Sequence, residues 1–212
     1  MNLPFTIEQF LGIFSRYNQA VFPMQIVFLL LALFVIFLVF KPNKYSSKII
    51  SGILAFLWLW VGIVYHIIFF SGINPIAKVF GIFFIIEGLL LFYQGVWKEK
   101  IQSGYAKDRY STTGIIFIIY ALIIYPALGY LFGHVYPASP TFGVPCPTVI
   151  FTFGMLLLTI KPIDKKLLII PFLWSVLGVS AAMQLGIIED FGLLVAGVLG
   201  TILIVRKNKK YL

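Results

Sequence analysis

The stretch Ile49–Phe70 reads IISGILAFLWLWVGIVYHIIFF and contains no Asp, Glu, Lys or Arg. A helix of about 20 apolar residues is long enough to cross the hydrocarbon core of a bilayer. The rest of the chain has the same character, because 61% of its 212 residues are hydrophobic and only 11% are charged. A soluble domain is typically about half apolar and a quarter charged. The sequence therefore predicts an all-α integral protein of the plasma (inner) membrane, surrounded by the lipid bilayer.

Six further apolar stretches have about the length of a membrane span, and Pro or charged residues separate most of them. Together with the first they predict a bundle of seven helices without a soluble domain. The predicted spans are Val21–Phe40, Ile49–Phe70, Ile76–Trp97, Gly114–Phe132, Thr141–Ile160, Leu167–Gln184 and Phe191–Val205.

Basic residues alternate from loop to loop between these spans. Residues 71–75, 133–140 and 185–190 contain no Lys or Arg. The other loops and the tail contain Lys41, Lys44, Lys48, Lys98, Lys100, Lys107, Arg109, Lys161, Lys165, Lys166, Arg206, Lys207, Lys209 and Lys210. By the positive-inside rule the basic loops are cytoplasmic, which places the N-terminus outside and the C-terminus inside. This asymmetry also explains the net charge of +9, so no nucleic-acid partner is expected.

The segment before the first span has apolar residues at roughly helical spacing, namely Phe5, Phe10, Ile13 and Phe14. This spacing indicates that residues 1–20 contain a short amphipathic helix on the outer membrane surface. A packed cap on the end of the bundle is an equally good interpretation of the same pattern.

The first three and the last three predicted spans share short sequence matches. The aligned pairs are Pro23 with Pro145, Lys41 with Lys161, Trp58 with Trp174, Gly62 with Gly178 and Gly81 with Gly197. They predict a parallel 3+1+3 internal repeat. Residues 21–97 would form the first triplet, residues 98–140 a linker with the fourth span, and residues 141–212 the second triplet and a basic tail. Parallel repeats occur in secondary transporters, whose substrate site lies between the repeats.

Glu87 lies about eleven residues into the third predicted span, which is roughly 16 Å along the helix and close to the bilayer centre. A carboxylate at this depth is costly and is a functional-site hypothesis by default. We expect Glu87 to carry a coupling proton or to accept a hydrogen bond from a solute. The structural alternative is a neutral Glu that hydrogen-bonds to a neighbouring helix.

His66 shares a helix face with Trp58 and Gly62, because the three residues are spaced i, i+4, i+8. The aligned face of the sixth span has Trp174 and Gly178 but an alanine in place of the histidine. This difference between the copies favours a functional role for His66. The alternative is an interfacial histidine that anchors the end of the helix.

Cys146, the one cysteine of the chain, stands between Pro145 and Pro147. A single cysteine excludes an intrachain disulfide. Since a residue before proline avoids the α region, we expect an extended or broken helix start at this position. Its carbonyl groups and thiol would face the outer mouth of the bundle. The alternative is that Cys146 is an inert small apolar residue.

Three stretches carry a resemblance to a known family: PFTIEQF from Pro4, RYNQAVFP from Arg16 and VPCPTVIFTFGMLLL from Val144. Over nearly its full length the chain resembles a family of small bacterial multi-span membrane proteins catalogued as a domain of unknown function, which implies no activity.

A second resemblance concerns the architecture. The predicted 3+1+3 order resembles the SWEET sugar transporters, and PCPT from Pro145 is similar to the proline-containing start of their first helices. The aligned stretch PMQI from Pro23 lacks the second proline and the threonine. The resemblance therefore implies the architecture and leaves a sugar substrate in doubt.

These features predict a transporter or permease for a small polar solute, with no cofactor and with a homo-oligomer left open. The predicted substrate-binding residues are Glu87, His66, Trp58, Trp174, Gln184 and Cys146. A metal-dependent membrane enzyme is one alternative, but no metal site is predicted because the spacing of His66, His134, Glu189 and Asp190 matches no metal motif. A ligand sensor or accessory subunit is the other alternative.

Overall fold

A computed structural model describes residues 4–210, apart from the side chains of residues 180 and 181. The outermost parts of the predicted terminal segments, residues 1–3 and 211–212, lie outside the described residues. The described chain forms eight helices and no β-strand. They are α1 (Ile7–Ala20), α2 (Met24–Phe40), α3 (Ser46–Gly72), α4 (Ala77–Trp97), α5 (Arg109–Leu131), α6 (Pro145–Leu157), α7 (Lys165–Leu185) and α8 (Ile188–Lys210).

Five of these helices, α3, α4, α5, α7 and α8, are long and apolar enough to cross a membrane. The prediction of an all-helical fold is therefore confirmed for the described residues, and the five long apolar helices agree with a membrane protein. Helices α1 and α2 meet the same criterion only as one pair, which bends by 83° at residues 21–23. Thr6 and Gln9 fix the start of α1, because each side chain accepts a hydrogen bond from the backbone N–H of the other residue.

Helix α6 lies where the span Thr141–Ile160 was predicted, but it has only 13 residues. At 1.5 Å per residue it is about 20 Å long, shorter than a bilayer core. All of its residues except Cys146 are buried. A helix that is apolar on every side and buried on every side belongs to the protein core. Helix α2, its predicted counterpart, instead exposes large apolar side chains such as Leu30 and Phe37.

Three of the long helices contain π-helical turns that the sequence pattern did not predict. They are Val61–Phe69 in α3, Phe92–Trp97 in α4 and Tyr120–Ile124 in α5. The turn in α5 ends directly before Tyr125 and Pro126, and the N–H of Tyr125 donates to the carbonyl of Tyr120. Proline lacks an N–H and crowds the preceding turn. A widened turn relieves this crowding, so Pro126 stays within a continuous helix.

Helices α3 and α4 pack as an antiparallel pair at two glycines. A Cβ atom on Gly62 would lie 2.8 Å from the carbonyl oxygen of Gly81. The aligned glycines of the second triplet do not meet in this way, since Gly197 lies against Ser175 rather than Gly178. Ser175 precedes Gly178 by three residues, so the register of α7 and α8 differs from that of α3 and α4 by about one turn. The helix contacts therefore do not confirm the predicted 3+1+3 repeat.

The end of the bundle that carries the basic loops is closed by the chain itself. The backbone N–H of Gly104 donates to Leu158 and that of Ile160 donates to Gln102, each at 2.7 Å. The amide of Gln94 donates to the carboxylate of Asp164 at 2.8 Å. Hydrogen bonds from the backbone N–H of Lys166 and from Gln94 hold the pKa of Asp164 below its ordinary value.

Candidate functional site

A cavity of about 380 Å³ lies at the opposite end of the bundle, where the loops contain no Lys or Arg. This volume is within the range of small-molecule sites. The walls come from both predicted triplets and from α5. Helix α3 contributes Tyr65, α4 contributes Phe80, and α7 contributes Trp174. Asp190 from the start of α8 completes the wall.

Helix α1 covers this cavity with an aromatic face. Phe5 and Phe10 each contact the ring of Phe70 in α3, at centroid distances of 5.6 and 5.8 Å. Phe14 stacks on Tyr65 at 6.0 Å. Phe10 and Phe14 of α1 line the cavity, and so does Phe5, which lies just before the helix. The 83° bend after α1 therefore positions a lid across the mouth of the site.

Hydrogen bonds hold this lid to both sides of the cavity. The hydroxyl of Tyr17 donates to the carbonyl of Gly143 at 3.1 Å and accepts from the indole N–H of Trp60 at 2.9 Å. The amide of Asn18 donates to the carbonyls of Pro137 and Ser139, each at 2.8 Å. Helix α1 is thus tied to α3 and to the segment before α6.

Asp190 is the one acidic side chain that lines the cavity among the described residues. It is buried, with 6% of its surface exposed. The hydroxyl of Tyr125 donates to its Oδ1 atom at 2.6 Å. The thiol of Cys146 lies beside the carboxylate and beside the indole of Trp174. One acid, one phenol and one thiol therefore lie together in a cavity whose walls are mostly apolar.

Three of the predicted site residues, Trp174, Gln184 and Cys146, line this cavity. The expected broken helix start at Cys146 is wrong, because α6 begins at Pro145 and Cys146 lies in its first turn. Both prolines fit there, since the first N–H groups of a helix need no partner within the helix. The extended residue is Val144, one position earlier, with φ −96° and ψ 169°.

Two other predicted residues, His66 and Trp58, lie behind the cavity wall. His66 packs against Trp174 at 5.1 Å and against Phe84 at 4.8 Å. Trp58 also packs against Phe84, at a centroid distance of 4.5 Å. Its indole N–H donates to Thr152 of α6 at 2.9 Å and so joins the two halves of the bundle. Phe84 thus brings His66, Trp58 and Trp174 into one cluster, although only Trp174 reaches the cavity.

His66 is fully buried, and neither ring nitrogen has a hydrogen-bond partner among the described residues. It therefore does not sit at the interface, as a helix anchor would. A buried polar group without a partner costs stability, which is the usual mark of a functional constraint.

Glu87 is also fully buried, and both of its carboxylate oxygens lack a partner in the part of the chain that the structure describes. It is not among the residues that line the cavity. The next residue, Gly88, packs against the backbone of Ala55 and the side chain of Leu59 in α3. Glu87 therefore lies inside the helix bundle and, unlike Trp174, Gln184 and Cys146, does not line the cavity.

A second polar group lies beside the cavity. The Nδ1 atom of His134 is 2.8 Å from Oε1 of Glu189, and the hydroxyl of Tyr120 donates to the backbone carbonyl of Glu189 at 2.8 Å. Glu189 is fully buried and its Oε2 atom has no partner among residues 4–210. Across those residues no group of three or more His, Cys, Asp or Glu side chains is placed to hold a metal ion.

Sequence reasoning did not assign Asp190, Tyr125 and Tyr65 to the solute site. Asp190 was considered only as a metal ligand. The available signal was the pair of acids directly before an apolar span, since a helix start at the end of a bundle brings such side chains to the mouth of a cavity. No comparable signal marks the two tyrosines.

The comparisons with known proteins agree with the family resemblance. The sequence model of a family of unknown function, DUF6064, matches residues 7–211. No curated protein and no solved structure matches the chain.

Proposed function

Since the chain belongs to DUF6064, a family of unknown function, we propose its activity from the cavity: it is a multi-span membrane transporter for a small solute. The observation that carries this proposal is the cavity of about 380 Å³ between helices of the two predicted triplets. A site between repeats is the arrangement found in repeat-built secondary transporters. The seven-pass 3+1+3 architecture is part of the proposal, with α6 as its buried central helix.

The two ends of the bundle support a state in which the solute site lies at the outer side of the membrane. The cavity lies at the end that carries only Arg16 and Lys78 among the sixteen Lys and Arg residues. The basic end is closed by backbone hydrogen bonds between residues 102–104 and 158–160. With the basic end in the cytoplasm of the cell, the cavity lies at the outer end beneath α1, and the path inward is shut.

Glu87 is the proposed coupling group. A buried carboxylate without a partner is destabilising and persists where it has a use. Its position on α4, between the cavity and the closed end, suits a proton site that senses movement of α4 against α3. Phe84, one turn away on α4, contacts Trp174 of the cavity wall at 5.0 Å. Solute binding can therefore act on α4 through this ring.

Uptake into proteoliposomes tests the proposal. Purified protein is reconstituted, and entry of labelled sugars, amino acids, amines and carboxylates is measured with and without a pH gradient. Trp174→Ala opens the cavity wall and should reduce uptake of the transported solute at least about tenfold. Trp97→Ala is the matched control, because Trp97 is 72% exposed at the other end of the bundle.

Glu87→Gln separates transport from coupling. The variant should still equilibrate the solute across the membrane but lose the response to a pH gradient. Stabilisation by a solute that never crosses the membrane would instead support the sensor alternative. If none of the tested solutes binds to the protein or enters the proteoliposomes, the transporter proposal is contradicted.

A further inference from the structure

We propose that the cavity binds an organic cation, with the ammonium group of a small amine beside Asp190 and inside a cage of aromatic rings. This inference rests on the proposed solute site and adds the chemical class of the solute. It follows from the composition of the walls, the surroundings of Asp190 and the size of the cavity.

The walls are unusually rich in aromatic rings. Eight of the 22 lining residues are aromatic: Phe5, Phe10, Phe14, Tyr65, Phe70, Phe80, Tyr125 and Trp174. They come from α1 and the residues before it and from α3, α4, α5 and α7, so rings from five helices contribute to the walls. The faces of aromatic rings attract cations within about 6 Å of the ring centre, and such cages recognise quaternary ammonium groups.

The carboxylate of Asp190 gives this cage a charge. No Lys, Arg or His side chain lines the cavity among the described residues. Within the same residues the Tyr125 hydroxyl is the only oxygen or nitrogen donor that bonds to the carboxylate. A buried carboxylate without a cation is costly. A bound ammonium ion would supply the missing counter-charge.

The neighbouring acid does not compete for this role. Glu189 is paired with His134 and does not line the cavity. Asp190 is therefore the acid that a ligand can reach, although the two residues are adjacent in the chain. The apolar part of a ligand would contact apolar lining residues such as Leu177, Leu185 and Ile187. The expected ligand is thus a small amine with an apolar body.

Matched pairs of ligands test the charge directly. Choline and 3,3-dimethylbutan-1-ol have the same shape, as do benzyltrimethylammonium and neopentylbenzene, but only the first of each pair is charged. Affinity for the detergent-purified full chain is measured by calorimetry and by the shift in melting temperature. We expect at least one cation to bind about tenfold or more tightly than its neutral partner, a difference of about 1.4 kcal/mol.

Asp190→Asn and Glu189→Gln form the variant and its control. Asp190→Asn keeps an oxygen that accepts from Tyr125 but removes the charge. It should lower the affinity for the cation at least about tenfold and leave the affinity for the neutral ligand of the pair unchanged. Glu189→Gln should leave the preference for the cation unchanged, because Glu189 does not reach the cavity.

The cage has its own test, which is also informative if Asp190→Asn does not fold. Phe14→Leu removes an aromatic face from the lid and retains an apolar side chain. It should lower the affinity for the cation about two- to tenfold and leave the affinity for the neutral ligand unchanged, because a cation–π contact is lost. Phe37→Leu is the control, because Phe37 is exposed on α2.

Three results would overturn the inference. The first is equal affinity for the charged and neutral members of each pair, which would indicate a purely apolar site. The second is stabilisation by phospholipids with none by any amine, which would indicate a lipid groove. The third is uptake of a neutral or acidic solute that is lost in Trp174→Ala. That result would agree with the transporter proposal but contradict the inference that the solute is a cation.

Discussion

Gly62 shows how a single residue sets the distance between two helices. Its missing side chain lets the carbonyl oxygen of Gly81 approach, and a Cβ atom would meet that oxygen at 2.8 Å. The Cβ atom would be bonded to the backbone of α3, and the oxygen is part of the backbone of α4. Neither atom can move away unless a helix shifts. We expect Gly62→Ala to lower the stability of the protein in detergent by about 1–3 kcal/mol, as overpacking does. Thermal unfolding followed by circular dichroism measures the change.

Gly12→Ala is the control for this prediction. Gly12 lies in α1, and no atom lies within 4 Å of a Cβ atom built there. Alanine has the higher helix propensity, so Gly12→Ala should be neutral or stabilising by up to about 1 kcal/mol. Equal behaviour of the two variants would contradict close packing at Gly62.

At the residue scale, sequence alone identified which side chains are unusual but not which of them meet. Glu87 and His66 stand out because polar residues are rare in apolar spans. Their polar side-chain atoms are buried and have no hydrogen-bond partner within residues 4–210 as described, which agrees with that selection. Whether each one faces the cavity depends on helix rotation, and α3 turns through nine π-helical residues that include His66. A period of 3.6 residues cannot anticipate that rotation.

Helix α6 shows that the sequence pattern of a whole helix also does not reveal how that helix packs. Its apolar length predicted a span of 20 residues, whereas the structure has a helix of only 13 residues, all of them buried except Cys146. The sequence of a core helix and that of a short span are both continuously apolar, so hydropathy does not separate them. What separates them is the set of neighbouring helices, and that is a property of the tertiary fold.

The end of α6 depends on a lysine from another helix. The Nζ atom of Lys207 in α8 donates to the carbonyls of Leu157 and Thr159, and it lies 5.7 Å from the ring centre of Tyr110. Lys207→Met should leave these buried carbonyls without a donor and destabilise the protein by about 1–3 kcal/mol. Lower melting temperature in detergent would report the loss.

Lys209→Met provides the comparison within the same helix. Lys209 is exposed, so its replacement should change stability by no more than about 0.5 kcal/mol. If the two variants melt alike, Lys207 does not cap α6, and the end of that helix must be stabilised in another way.

For the whole molecule, charge and hydropathy were the most informative features of the sequence. Fourteen of the sixteen Lys and Arg residues gather at one end of the bundle, and the cavity lies at the other. This distribution depends on loop positions alone, so it could be predicted without knowing how the helices pack. The register of the two triplets could not, because small shifts between packed helices leave no trace in a pattern of apolar residues.

The orientation itself is a prediction about the whole molecule, and the single cysteine makes it testable. Cys146→Ala gives a chain without thiols, into which Val135→Cys or Lys44→Cys is introduced. Both positions are exposed, and they lie at opposite ends of the bundle. By the positive-inside rule a membrane-impermeant maleimide should label Val135→Cys in intact spheroplasts and Lys44→Cys only after the membrane is opened. The reverse pattern would place the cavity in the cytoplasm, and the protein would then have to take up its solute from inside the cell.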